Sequence, residues 1–175
     1  MAYKIVFAGQ VGAGKTTAIN AISDIPVVST EANTSDSLAQ TKQKTTVAMD
    51  YGALHLSNDD KVFLYGTPGQ ERFNFMWEIL SVGALGIVLL IDHSQAQPVQ
   101  DMRFYLDTFS SFTKQGAVAI GVTHMDLTEG DSLAPYLECL QDYHISVPVF
   151  EVDARESRDV KTLVLSLLAM LDQDF

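Results

Sequence analysis

Residues 9–16 read GQVGAGKT, the pattern G-x-x-x-x-G-K-[ST]. Those residue types in that order suit one task, holding phosphate. Glycines let successive backbone N–H groups curl around phosphate oxygens. A helix starting at the end of the loop adds the positive end of its dipole. The contacts expected from this stretch come from Gly9, Val11, Gly12, Ala13, Gly14, Lys15, Thr16 and Thr17. Lys15 would reach the β and γ phosphates, and the Thr16 hydroxyl would bind Mg²⁺. The loop alone does not separate a GTPase from an ATPase or a small-molecule kinase.

The chemistry requires a strand before the loop and a helix after it. KIVFA (4–8) is a short apolar run of the kind a buried strand shows, and KTTAINAIS has helical spacing. Residues 24–46 are polar, and a loop of that length in a compact domain is usually functional or mobile. VAMDYGALHL (47–56) and KVFLY (61–65) read as strands joined by SNDD, an antiparallel hairpin. Further strands are expected at 85–91, 117–123 and 148–154. Helices are expected in QERFNFMWEILSVG, in PVQDMRFYLDTFSSFT (98–113), in DSLAPYLECLQDY and in DVKTLVLSLLAML. Strands alternating with helices after a hairpin imply an α/β fold, a mainly parallel sheet covered on both faces. Ligands of such sheets bind outside the carboxyl ends of the strands.

Composition narrows the classes. With 175 residues, 47% of them hydrophobic, a single folded domain over 1–175 is expected. A formal net charge of −11 argues against nucleic acid or an anionic membrane surface as partner. The single cysteine, Cys139, fits a reducing, cytoplasmic setting and reads as a small buried hydrophobe. GALGIVLLI (83–91), the longest apolar run, is too short to span a membrane. From the Met-Ala start and the LDQDF end, no direct lipid anchor is expected. His55, His93, His124 and His144 share no metal-ligand spacing. The aromatic run Phe73, Phe75 and Trp77 is expected to pack on the core in part, with Trp77 inside.

Four further stretches follow the phosphate loop: TTVAMDY (45–51), GTPGQERF (66–73), THMD (123–126) and DARES (153–157). Together, and in this order, they make the chain resemble the Ras-like small GTPase superfamily over nearly its whole length. The similarity is greatest to bacterial members related to MglA-type gliding-motility GTPases, which are often paired with Roadblock/LC7-type regulators. The resemblance implies a six-stranded P-loop fold with strand order 2-3-1-4-5-6. It implies a GTP/GDP switch with Mg²⁺ as cofactor and regulatory and effector proteins as partners. Thr46 matches the threonine that binds Mg²⁺ and senses the γ-phosphate, with Thr45 as a rival one residue away. Gly69 matches the glycine whose N–H meets the γ-phosphate, and Gln70, beside Lys15 the catalytic candidate, matches the water-positioning glutamine. Asp126 stands where a carboxylate accepts bonds from guanine N1–H and the 2-amino group, a donor pair that adenine lacks. Thr123, His124, Asp153, Ala154 and Arg155 complete the expected base contacts, with Ala154 N–H on guanine O6 and Arg155 over the base.

Departures from the family pattern carry their own expectations. Gly66 stands where the family has an aspartate that reaches Mg²⁺ through water. The expectation is a water-filled gap, with Asp50 and Asp92 as carboxylates that could replace the missing one. Thr123 and His124 replace Asn and Lys, removing an amide that braces the loop and a stem that packs on the base. Val11 puts a branched side chain where Ras has glycine, against Gln70 or an incoming arginine. No arginine lies between residues 24 and 50, and Arg72 is read as structural, so hydrolysis should be slow without a partner. Two alternatives stand beside the switch: a nucleotide-binding scaffold that never hydrolyses, and an ATP-using P-loop small-molecule kinase. The scattered Arg72, Arg103, Arg155 and Arg158 do not suit a kinase lid.

Overall fold

The computed structural model describes residues 1–29, 49–56, 59–70, 74–130 and 132–171. Its strands are β1 (Ala2–Ala8), β2 (Val28–Ser29), β3 (Asp50–His55), β4 (Lys61–Gly66), β5 (Gly86–Asp92), β6 (Val118–Thr123) and β7 (Val149–Glu151). Its helices are α1 (Lys15–Ile22), α2 (Asn74–Ser81), α3 (Pro98–Thr108), α4 (Ser110–Lys114), α5 (Ala134–Asp142) and α6 (Ser157–Leu171). The strands form one sheet in the order β2-β3-β4-β1-β5-β6-β7. Pairings among β4, β1, β5, β6 and β7 are parallel, and β3 is antiparallel to both β2 and β4.

The α/β fold is the one expected, but the sheet has seven strands rather than six. The additional strand is β2, whose Val28 and Ser29 pair with Tyr51 and Asp50. Two residues carry no periodicity, so nothing in the sequence distinguishes β2 from loop. The other six strands keep the expected order. A second difference lies in the helix expected over 98–113, which divides at Phe109 (φ −97°, ψ 38°) into α3 and α4. The Thr113 hydroxyl donates to Leu106 O at 2.8 Å and lies 3.2 Å from Phe109 O, which also accepts from Thr113 N at 3.0 Å, so the two helices are tied across the break.

Strand alternation splits the apolar residues between two cores. Ile5 and Phe7 of β1, Leu64 of β4 and Leu90 of β5 pack under α1 and α6 with Ile19, Leu163 and Leu167. Val6 and Ala8 face the other way, with Leu89 and Ile91 of β5, against α3 and α5. All seven residues of β5 are buried because it has strands on both sides and helices on both faces. Among the described residues no helix is long and apolar enough to cross a membrane. Cys139 is buried in the second core, where burial pushes its thiol up.

Trp77 is 1% exposed and stacks near Tyr105 and Phe109, as its place in the pattern suggested. Its indole Nε1 donates to Pro68 O at 2.9 Å, tying the 66–70 stretch to α2. Phe73 lies outside the described residues, and Phe75 is half exposed at 52%.

Residues of α6 test this packing directly. Leu163→Ala empties a fully buried position and should cost about 2–5 kcal/mol in urea unfolding. Leu165→Ala, on the solvent face of the same helix, should stay within about 0.5 kcal/mol of the parent. Equal losses would contradict the assigned helix face.

Candidate nucleotide site

The loop after β1 sits on the carboxyl end of the sheet. A side chain at Gly9 (φ +148°) would place its Cβ 2.3 Å from Leu90 O, so only glycine lets the loop lie against β5. Lys15, the first residue of α1, is 8% exposed, and its Nζ donates to Gly9 O and Gln10 O, each at 2.6 Å. Burial lowers its pKa from 10.5 to about 8, and the nearby Asp50 carboxylate opposes that shift. Thus the loop holds a desolvated ammonium group among carbonyl oxygens, a position that an anion would stabilise.

At the loop's other side, the Thr123 hydroxyl donates to Ala13 O at 2.9 Å. Replacing asparagine with threonine was expected to remove the brace on this loop. Thr123 supplies one instead, because the end of β6 approaches close enough for a short side chain to reach. The Thr123 hydroxyl also lies 3.3 Å from Ile91 O, linking the loop to β5.

Next to this brace is a pocket of about 650 Å³. Gly14 and Thr17 line one end, and Thr123, His124, Asp126, Ala154 and Arg155 line the rest. Thus residues from three separate stretches of sequence meet where the loop turns into α1. Asp126 is exposed in the 3-10 turn Met125–Leu127, which puts its carboxylate at the pocket. His124 has φ 58°, and its Nδ1 lies 2.9 Å from Asp92 Oδ1, an ion pair when the ring is protonated.

Asp153 and Arg155 form a forked pair. Arg155 Nε donates to Asp153 Oδ1 at 2.9 Å and Nη2 to Oδ2 at 2.7 Å. The side-chain and backbone hydrogen bonds from Arg155 hold the Asp153 carboxyl down at about 2. Asp159, in the first turn of α6, accepts from Asp153 N at 2.9 Å and fixes the loop from below. Sequence reading overlooked Asp159. Its position just inside a helix N-terminus was the available signal.

Asp92 and Asp50 differ in surroundings. Burial pushes the Asp92 carboxyl up, but bonds from Ser94, Gln95 and His124 outweigh it and hold the group below its usual range. The Asp92 oxygens are already committed: Ser94 Oγ donates at 2.6 Å and Gln95 Nε2 at 2.9 Å. Asp50 faces the loop. The Thr16 hydroxyl donates to Asp50 Oδ2, and Ser29 Oγ donates to Oδ1 at 2.7 Å. The water-filled gap expected beside Gly66 is therefore occupied by the Asp50 carboxylate.

Gly69 lies against the loop, where an added Cβ would stand 2.5 Å from Val11 N. Val11 itself is 63% exposed, and Gln70 is also exposed. Gly12 and Ala13 complete the loop, with Ala13 fully buried. Thr46, its rival Thr45, and Arg72 lie outside the described residues. Thr16 offers a hard oxygen beside a carboxylate, a donor set that suits Mg²⁺.

Residues 26–174 match the family model described as a conserved hypothetical ATP binding protein. The chain is 32% identical over 99 residues to an uncharacterized protein of Methanocaldococcus jannaschii, a match covering 56% of each protein. It is 27% identical to Mus musculus Ras-related protein Rab-44 over 67% of this chain and 11% of that protein. Identity to the Arabidopsis thaliana Ras-related protein RABD2a is 22%, over 98% of this chain and 80% of that one. The G domain of the T. maritima FeoB iron transporter superimposes with a TM-score of 0.67 at 17% identity, covering 97% of this chain and 98% of that one. The match at residues 26–174 decides the membership: the chain belongs to the family described as conserved hypothetical ATP binding proteins, and it is built on the fold of a P-loop GTPase domain.

Proposed function

We propose that this chain is a GTP/GDP-binding switch, one domain over 1–175, with slow intrinsic hydrolysis. The observation that carries the guanine reading is the exposed Asp126 carboxylate at the pocket beside Gly14 and Thr17. That carboxylate can accept from both N1–H and the 2-amino group of guanine, whereas adenine offers its ring nitrogen only as an acceptor. The phosphates would occupy the Gly9–Thr17 loop, where Lys15 supplies charge and the loop backbone supplies N–H donors. Mg²⁺ would be held by Thr16 and Thr46, and when bound it neutralises charge on the β and γ phosphates.

The contact of Gly69 with Val11 supports a switching role. A γ-phosphate arriving at the loop must be accommodated by the 66–70 stretch, and Pro68 passes that adjustment to α2 through Trp77. Gln70 would orient the attacking water. With no arginine in residues 24–50, rapid turnover needs one supplied by a partner. Regulatory and effector proteins, a Roadblock/LC7-type regulator among the candidates, would read the two nucleotide states. A bacterial, MglA-related origin is part of the same proposal.

An ATP-using reading is favoured by the description of the family, so binding of GTP and ATP measured side by side is the deciding experiment. GTP should bind more tightly, and a preference for ATP would refute the guanine assignment. Asp126→Asn should move preference toward xanthine nucleotides, since asparagine can donate to the 2-oxygen. Loss of charge-assisted bonds worth about 1.5–3 kcal/mol predicts a GTP affinity lower by roughly tenfold to a hundredfold.

Lys15 makes affinity depend on pH in a definite direction. Its pKa of about 8 in the free protein must rise when phosphate binds beside it. Below pH 8 the group is already charged, so it adds no slope. Above pH 8 binding takes up a proton, and affinity falls by up to about tenfold per pH unit. Calorimetry in buffers of different ionisation enthalpy should show that uptake near pH 9. Lys15→Ala should bind weakly and show no uptake.

Gln70→Leu should slow hydrolysis while leaving GTP affinity unchanged. Single-turnover hydrolysis by the parent protein should run on the order of 10⁻⁴ s⁻¹. Rapid turnover by the isolated chain would require a catalytic group other than Gln70.

A further inference from the structure

We propose that Asp50 is the residue that positions Mg²⁺ on Thr16, and that glycine stands at position 66 to make room for it. This deepens the proposed function, and it rests on phosphate binding by the Gly9–Thr17 loop rather than on the identity of the base.

The geometry comes from the β3–β4 hairpin. Asp50 and Gly66 are direct partners in that antiparallel pair, so their side-chain directions share one face of the sheet. With no side chain at 66, the Asp50 carboxylate reaches across the strand end to the first turn of α1. A Cβ at 66 would stand 3.1 Å from Asp50 Cβ and 3.2 Å from Asp50 Oδ2, with Ile19 Cδ1 at 3.2 Å on its other side. The φ angle of Gly66 lies outside the left-handed region, so the backbone does not demand glycine there. The crowding comes from side-chain atoms instead, so a side chain at 66 would press on the Asp50 carboxylate as it stands.

The hydrogen-bond pattern suits a metal site. Thr16 has one hydroxyl proton, and it goes to Asp50 Oδ2. Both lone pairs of the hydroxyl oxygen are then available to a cation, and the carboxylate polarises the oxygen that must bind it. Ser29 of β2 holds the second carboxylate oxygen at 2.7 Å, which fixes the rotamer. Mg²⁺ keeps several of its waters, and a carboxylate one bond from its ligand can also accept from one of them. Partners of this kind typically change metal affinity by about 10–100-fold. Asp92, by contrast, is tied up by Ser94 and Gln95.

The test is release of a fluorescent methylanthraniloyl-GDP, and in parallel the ADP analogue, as free Mg²⁺ is varied. Asp50→Asn keeps the shape but loses the charge. Its half-saturating Mg²⁺ should rise by about 10–100-fold, with nucleotide affinity in EDTA within a few-fold of the parent. Direct Mn²⁺ binding to the nucleotide complex, followed by electron paramagnetic resonance, should weaken by the same factor. Asp50→Gly combined with Gly66→Asp returns a carboxylate from the opposite strand and should restore the parent's Mg²⁺ dependence. A purely structural role for Asp50 predicts no such rescue. A well-folded Asp50→Asn protein with unchanged Mg²⁺ dependence overturns the proposal, as does a double variant that binds nucleotide yet stays metal-insensitive. If only the ADP analogue binds, the guanine reading fails, and the Asp50 assignment is still decided by the same titration.

Discussion

The loop between β1 and α1 must lie in contact with the ends of β5 and β6, and the rest of the site depends on that closeness. Gly9 permits the approach to Leu90, and Thr123 fastens the far side of the loop through Ala13. Held in this way, the loop buries the Lys15 ammonium among carbonyl oxygens and out of bulk water. A buried charge of this kind is costly until an anion arrives. The same constraint brings Gly14 and Thr17 to one end of the pocket that Asp126 and Ala154 line from other strand ends.

Electrostatics sharpen the arrangement. The chain carries a formal net charge of −11, so its overall field does not attract a polyphosphate. Screening limits that unfavourable field to roughly 8 Å at physiological salt, and attraction must come from groups in contact. Lys15, the α1 N-terminus and the loop amides are those groups. The carboxylates nearby are each committed to a donor: Asp153 to Arg155, Asp92 to Ser94 and Gln95, and Asp50 to Thr16 and Ser29. Asp126 is exposed at the pocket.

The 66–70 stretch joins these parts to the second core. Its backbone lies on the loop at Val11, while Pro68 accepts from the buried Trp77 indole. Movement at the loop's mouth therefore meets a packed aromatic cluster of Trp77, Tyr105 and Phe109 rather than solvent. Packed clusters shift between discrete arrangements more readily than they deform.

Much of this was legible in the chain itself. GQVGAGKT carries its own physics, since glycine, lysine and threonine at that spacing have few other uses next to a strand. Apolar runs such as GIVLLID disclose a central strand because burial on both faces removes the polar alternation. The six longer strands followed from the alternation of elements, whereas their order was implied by the resemblance to Ras-like small GTPases. What sequence did not disclose were contacts whose strength lies in distance across the fold. β2 is too short for periodicity, and its place is set by pairing with Tyr51 and Asp50. Thr123 looked like a lost brace because residue type says nothing about how near Ala13 lies. Gly66 looked like a lost carboxylate because the hairpin register, which sets Asp50 directly opposite, exists only once the strands have paired. Local residue chemistry determined which groups this protein can use, and tertiary pairing decided which carboxylate stands beside Thr16, because that depends on proximity between residues far apart in the chain.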